Sequence, residues 1–477
     1  MISSTGIGSG LDVNSIVTQL MAIEARPLSL LQQQRSTLNA QVSAFGQFQS
    51  LAAALSDRAG ALAADTLWQR TTAASSNAPA VAVTAGTGAL AGRHTVRVDA
   101  LASVQTLASS SFAASTSTLS EGTLTIELGT VLGEPTPTGF TPKAGASPVV
   151  ITIGAGETSL AAVRDKINAA GAGVTASLVT DASGVRLSLR SSSTGAENAF
   201  RVTAAETADD GVAATGLSAL GWQPTGASPM SRTQTAANAQ ARIDGIVVTS
   251  ASNSLAGVLP GLTLDLKAVT TADAELTVEP DRAAVKAAIE GFVGAFNALT
   301  SFVREQTKFD EASQAAGTLQ GDRVVLGLSS RLRGALNEAS TASGTFARLA
   351  DIGITMQADG TLATDATKLD AGLANLAELK KVLVADGVAS GDTGFVRRFR
   401  DIADAALASD GSITTRQGGL STLIDRNEDD QERMERRLEA TEARLRVQYQ
   451  ALDANMASLN AISSYLTQQF ASLNTNA

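Results

Sequence analysis

The sequence predicts an α+β, multidomain chain: helical coiled-coil legs and a helical-bundle body formed by both chain ends, with two nested β-rich head domains inserted between them. Three observations carry this. Apolar residues near both termini recur at helical spacing. Toward the C-terminus a leucine stands at every seventh position, at Leu438, Leu445, Leu452, Leu459, Leu466 and Leu473, the mark of a coiled-coil seam. Between the helical ends, residues 71–280 alternate apolar and polar side chains in short runs rich in Gly, Ser, Thr and Val, the pattern of half-buried strands.

The chain opens with Gly6, Gly8 and Gly10 as G-x-G-x-G. A dinucleotide-binding turn needs G-x-G-x-x-G after a buried strand. Only Met1 to Thr5 precede these glycines, too few and too polar for a central strand, so they read as a flexible leader. Asp12 then suits an N-cap, and Val13, Ile16, Val17, Leu20 and Ile23 fall at helical spacing. Pro27 fits the first turn of a second helix, so the first ends or kinks near Arg26. That second helix carries the stripe Leu31, Leu38, Val42, Phe45, Phe48, Ala52, Leu55 and Leu62.

In the middle region "HTVRVDA", "GTLTIEL", "VVITI", "VTASLVT", "VRLSLRS", "ARIDGIVV" and "GLTLDLKA" read as strands. One helix interrupts them, "SLAAVRDKINAAG", with Leu160, Val163 and Ile167 on one face and Gly171 as its stop. The stretch "GEPTPTGFTPKAGASP" reads as a loop, and no pattern is legible from Val131 to Pro148. Helix returns after Pro280, with Val285, Ile289, Phe292, Val293, Phe296, Leu299 and Val303 on one face, and then Val325, Leu328, Leu332 and Leu336. "IGITMQADGTLAT" reads as a hairpin with Asp359-Gly360 as its two-residue turn, and Val396, Phe399, Ile402 and Ala406 mark a further helix. A last helix from about Ile424 to Leu473 reaches about 75 Å and needs a partner. On it Tyr449, Met456 and Phe470 fall four residues after leucines, and Ile462 three after Leu459. Asp429–Arg433, Glu432–Arg436 and Glu442–Arg446 are spaced for i,i+4 ion pairs on a solvated face.

The expected segments are 1–42, an N-terminal leg helix pairing with the C-terminal leg; 43–70, the first part of the helical body; 71–108, the first part of the inner β head; 109–234, an outer β head insertion; 235–280, the second part of the inner head; 281–427, the second part of the body; and 428–477, the C-terminal coiled-coil leg.

Composition narrows function. A net charge of −10 with no basic cluster argues against nucleic acid and anionic lipid as partners. No apolar run is long enough for membrane insertion, and no cleavable signal peptide is legible. With no cysteine, disulfides, thiolate metal sites and a cysteine nucleophile are excluded. His94, the single histidine, stands in the strand "RHTVRV" with no companion for a base dyad or metal set. No G-x-S-x-G elbow is present. The expectation is a protein that is not an enzyme, with no catalytic, cofactor-binding or metal site.

"GIGSGLD" at Gly6 to Asp12, "YQALDANMASLNAISSYLTQQF" at Tyr449 to Phe470, and the inner segments "GVTASLVTDASGVRLSLRSSSTGAENAF", "IDGIVVTSASNSLAGVLPGLTLDL" and "LADIGITMQADGTLAT" together resemble the bacterial flagellar filament cap family, also called flagellar hook-associated protein 2, nearly end to end. The resemblance implies a structural cap at the filament tip, outside the cell. Such a cap is exported through the flagellar type III channel without a cleaved signal peptide. It forms a ring homo-oligomer, pentamer or hexamer, that retains flagellin and promotes its folding and insertion. Hook-associated junction proteins, an export chaperone on the C-terminal helix, and a host mucin or glycan are the further partners implied. With the stripes above, it makes Leu31, Leu38, Phe45, Leu438, Leu445, Leu452, Met456, Leu459, Ile462, Leu466 and Phe470 the residues expected to dock on the filament or between copies. Another axial flagellar protein, a flagellin or hook–filament junction protein, and a type III-exported surface adhesin are the alternatives; closed rings rather than helical fibres favour the cap.

Overall fold

The computed structural model describes residues 12–312 and 314–474. Gly6, Gly8, Gly10 and Leu11 of the expected leader lie outside them. The chain divides into a helical unit, Met1–Trp68 with Arg282–Ala477, and a β unit, Gln69–Asp281.

In the helical unit the Asp12 carboxylate accepts from the Ser15 N–H at 3.0 Å and caps α1 (Val13–Glu24). Ala25 closes α1, and Pro27 sits in the first turn of α2 (Arg26–Ala63), where a missing N–H costs no helical bond. The single turn α3 (Asp65–Trp68) follows, its Trp68 indole donating to the Leu62 carbonyl at 2.8 Å. After the β unit, which contains α4 (Leu160–Ala169), come α5 (Arg282–Thr307), α6 (Arg323–Asn337), α7 (Ala366–Leu373), α8 (Leu376–Val384), α9 (Phe395–Leu407) and α10 (Ser412–Asn474). All seven apolar positions expected on α5 are buried. α2 packs against α5, α9 and α10. The centre is aromatic: Phe45, Phe48, Phe292, Phe296, Phe395 and Phe399 are buried in one cluster. Phe399 meets Phe292 and Phe296 edge-on, with ring centroids 5.5 and 5.7 Å apart.

Two expectations need correction here. α10 begins at Ser412, well before Ile424, and runs through Gly418-Gly419. Two glycines cost a helix about 2 kcal/mol relative to alanine, and burial of Ile413 and Leu420 in the core on either side of them offsets that. Asp359-Gly360 is not a two-residue turn: the strands Ile354–Met356 and Leu362–Thr364 are joined by a longer loop in which Gln357 N bonds Thr361 O at 2.8 Å and Gly360 N bonds Gln357 O at 2.9 Å, with Gly360 at φ 85°. That is a type I turn with a bulge, which the same Asp-Gly pair also serves.

The β unit holds two bodies of sheet. In the first, β1 (Thr71–Ser75), β3 (Gly92–Ala100), β12 (Ala239–Ile243), β13 (Ile246–Ser250) and β16 (Ala274–Pro280) form an antiparallel sheet in the order β1-β16-β3-β12-β13. β2 (Val81–Ala85), β14 (Ser254–Ala256) and β15 (Leu262–Leu266) form a second, in the order β14-β15-β2. Val96, Val98, Ala241, Leu264 and Leu276 share its core.

In the second body, β5 (Gly122–Leu132) is flanked on one side by β10 (Ala199–Glu206) and on the other by β7 (Val149–Ile153) and β6 (Gly139–Pro142). β4 (Thr106–Ala108), β8 (Val174–Asp181), β9 (Gly184–Ser191) and β11 (Ser231–Gln234) make the sheet β11-β4-β9-β8. α4, capped by Ser159, buries Leu160, Val163 and Ile167 against a separate core that includes Leu124, Ile126, Leu187 and Phe200. β6 lies inside the stretch read as a loop. It is a short edge strand ending in Pro142, where proline is tolerated, and the Arg201 guanidinium of β10 stacks 5.0 Å from the Phe140 ring.

Ser103 and Ala237 exchange backbone hydrogen bonds of 2.9 and 3.3 Å, so the ends of the second body leave the first side by side. β4 and the buried Gln105, which bonds the Phe200 carbonyl at 2.7 Å, belong to the second body, a few residues ahead of the expected boundary at 109. We propose that the two bodies are nested modules with their own cores. Replacing residues 105–234 by a short Gly/Ser linker is expected to leave cooperative unfolding of the remaining strands, followed by circular dichroism. Loss of that cooperativity means the two share one folding unit.

Candidate docking surface

At a rise of 1.5 Å per residue the 63 residues of α10 extend about 95 Å. Its partners change along that length. The first turns are held in the helical core through Ile413 and Leu420. Arg416 reaches Asp322 at 2.9 Å, the residue whose carboxylate also caps α6. α10 then runs antiparallel to the N-terminal helices. Gln417 donates to Gln49 at 3.0 Å, Asn427 to Gln34 at 3.4 Å, Glu428 pairs with Arg35 at 2.6 Å, and Arg446 donates to Asn14 at 3.3 Å.

Two consecutive seam positions of this pairing are polar. Asn427 and Gln431, 4% and 8% exposed, bond each other at 2.6 Å, with Gln34 beyond them. On the body side of this layer the seam is buried at Leu420 of α10 and at Leu38 and Phe45 of α2, with Ile424 half-buried between them and the layer. On the far side it is only half-buried, at Met434, Leu438 and Leu445, although α1 buries Val13 and Val17 there. Past Tyr449 the apolar side chains of α10 open to solvent: Leu452 is 45% exposed, Met456 37%, Leu459 61%, Ile462 53%, Leu466 49% and Phe470 68%. Tyr465, 62% exposed, joins this stretch and was not singled out from the sequence, because it falls one residue before the leucine repeat. The side chain of Leu473 lies outside the described residues.

The eleven residues expected to dock therefore fall into three groups. Leu38 and Phe45 are buried inside the chain's own helical core, which corrects their assignment to a partner-facing surface. Leu31, Leu438 and Leu445 are half-buried along the pairing of α10 with α1 and α2. Leu452, Met456, Leu459, Ile462, Leu466 and Phe470 form the exposed stripe. Of the expected ion pairs, Glu432–Arg436 and Glu442–Arg446 form at 3.4 and 2.8 Å, while Arg433 pairs with Asp430 instead of Asp429. Spacings of three and four are equally reachable on a helix.

His94 does have a companion. The two-residue turn Asp244-Gly245 between β12 and β13, with both residues at positive φ, brings the Asp244 carboxylate to 2.8 Å from His94 Nδ1. The hydrogen bond from His94, then that from the Thr95 N–H, holds the Asp244 carboxyl below its ordinary pKa. Among the described residues the carboxylates of Glu206, Asp209 and Asp210 are the group close enough to share a metal ion. Each already accepts a local N–H: Glu206 from Ser218 at 2.7 Å, Asp209 from Gly211 and Asp210 from Val212, both at 2.8 Å. Among the described residues no helix is long and apolar enough to cross a membrane.

Residues 9–105 match the family model for the flagellar hook-associated protein 2 N-terminus, residues 236–461 that for its C-terminus, and residues 123–193 the flagellin hook IN motif. The chain is 34% identical to the B-type flagellar hook-associated protein 2 of Pseudomonas aeruginosa and 33% identical to the flagellar hook-associated protein 2 of Escherichia coli K12, in each case over 98% of both chains. It is also similar to the crystal structure of the D1-D2-D3 domains of the flagellar cap protein FliD from Escherichia coli. There the TM-score is 0.58 at 28% identity, covering 79% of this chain and 99% of that one. A long helix anchored at one end and exposing apolar side chains at the other, together with a β unit of two sheet bodies, is thus found in a chain that belongs to the flagellar hook-associated protein 2 family.

Proposed function

We propose that the chain is a structural cap at the distal tip of the bacterial flagellar filament, outside the cell, where it retains exported flagellin and promotes its folding and insertion. The observation that carries this, beside family membership, is the exposed stripe from Leu452 to Phe470 on a helix whose other end is fixed in the body. Fully burying one exposed Leu, Ile, Met or Phe side chain yields about 1.5–3 kcal/mol; these six are 37–68% exposed, so docking gains roughly half of that at each, and six together offset the ordering of a single helix. The stripe docks against filament subunits, Leu438 and Leu445 continue its repeat toward the body, and the β bodies form the plate over the channel. The work is steric and conformational.

Several copies act together as a closed ring, a pentamer or hexamer, with hook-associated junction proteins and an export chaperone on α10 as further partners. The absence of cysteine suits transit through a narrow export channel, where a crosslinked chain cannot pass.

Complementation tests the reading. Expressed in a motile strain lacking its own cap, the chain is expected to restore filaments. Flagellin spilling into the medium at the level of the uncomplemented strain rejects it, and helical fibres of the purified chain in place of rings favour another axial component.

A further inference from the structure

We infer that α1 is a displaceable strap over Leu438 and Leu445, opening about Ala25 to lengthen the apolar stripe of α10 toward the body; this rests on the docking reading above. Leu438, Leu445, Leu452, Leu459 and Leu466 are one series of the same repeat. The members from Leu452 onward are exposed, whereas the first two run beside α1, as the contact of Asn14 with Arg446 and of Gln34 with Asn427 fixes. The repeat itself gives no reason for its exposed part to begin at Leu452; the cover does.

Three features make the cover separable. α1 is 12 residues long, marginal for a helix without packing, and it buries Val13 and Val17 outside the main helical core. The helix breaks at Ala25 between α1 and α2, with Pro27 in the first turn of α2. The side-chain bond from α10 to α1, Arg446 to Asn14 at 3.3 Å, lies at an exposed site.

Opening stops at the Ala25 hinge, because α2 stays docked on α10 through the buried Asn427–Gln431 layer that Gln34 joins. On the far side of that layer the seam is half-buried and parts at small cost, whereas on its near side Leu38, Phe45 and Leu420 are buried with the body. Lifting α1 adds Leu438 and Leu445 to the exposed series, about 21 Å of further apolar surface between Leu438 and Leu452. A partner that buries those leucines binds the open form in preference and shifts the equilibrium toward it.

The chain's lack of cysteine gives a clean test. In the full chain, Asn14→Cys with Arg446→Cys, bridged by a small dithiol spacer whose two disulfides form on oxidation and open on reduction, pins α1 to α10 across the reach of the arginine side chain. Purified chain is added to flagellin filaments with uncapped ends, and bound chain is measured oxidised and reduced. The expected result is roughly tenfold weaker binding when oxidised, restored by reduction; equal binding in both states overturns the strap. Hydrogen exchange on the unmodified chain provides a readout that needs neither filament nor variant. Amides of α1 are expected to exchange about a hundredfold faster than those between Phe45 and Leu62, and equal protection overturns the inference. If the reduced chain fails to bind filaments as well, the docking reading is at fault, and the exchange comparison decides the strap.

Discussion

Leu452→Asp with Leu459→Asp is expected to abolish capping while the helical core unfolds as before. Both side chains are about half exposed or more in the free chain, so the change costs it only the lower helix propensity of aspartate, about 0.7 kcal/mol per site at most. In a docked helix the same two carboxylates sit where leucines were buried, and burying an unpaired charge costs several kcal/mol each. Since 1.4 kcal/mol is a factor of ten, association falls by roughly a hundredfold or more. Ala454→Asp with Ala461→Asp adds the same charge to the same stretch of helix at exposed positions two residues on, and is expected to keep capping. Swimming motility in a strain lacking its cap, read beside thermal unfolding of the purified variants, separates the two. Motility in the leucine variant with unchanged unfolding shows that the docking face lies elsewhere.

The second large effect concerns stability. Phe399→Ala is expected to destabilise the helical unit by about 3–5 kcal/mol. The ring is fully buried and closes a cluster in which it meets Phe292 and Phe296 edge-on, so truncation loses transfer energy and aromatic contacts and leaves a cavity that α2, α5 and α9 cannot close without shifting together. Urea unfolding followed by helical ellipticity measures it. A loss below about 1 kcal/mol, the usual range for surface substitutions, means the core collapses readily around the gap.

The elements were legible where local periodicity and burial agree. α5 shows this best: seven apolar positions at helical spacing, all seven buried, because one face of an isolated amphipathic helix can go nowhere but inward. Ser159 and Gly171 likewise bracket α4, since caps and stops are chemistry of neighbouring residues. The edge strand Gly139–Pro142 was illegible because its composition is that of a loop, and it pairs on one side with a strand already committed elsewhere. The early start of α10 was hidden by Gly418-Gly419, whose low propensity is overridden by contacts with residues far away in sequence.

The candidate surface divides the same way. By itself the sequence determined that leucine recurs every seventh residue from Leu438, and hence that α10 has an apolar face, because periodicity is a property of one helix. Which of those leucines are covered was decided only by the tertiary structure. Asn14 meets Arg446 and Gln34 meets Asn427 across separations of about four hundred residues, and no local pattern encodes such a pairing. Leu38 and Phe45 carry the same periodic signature as Leu452 and Leu459, yet the former are core and the latter exposed. An apolar side chain specifies that water is to be excluded; whether a helix of the same chain or another molecule excludes it depends on what the fold brings alongside.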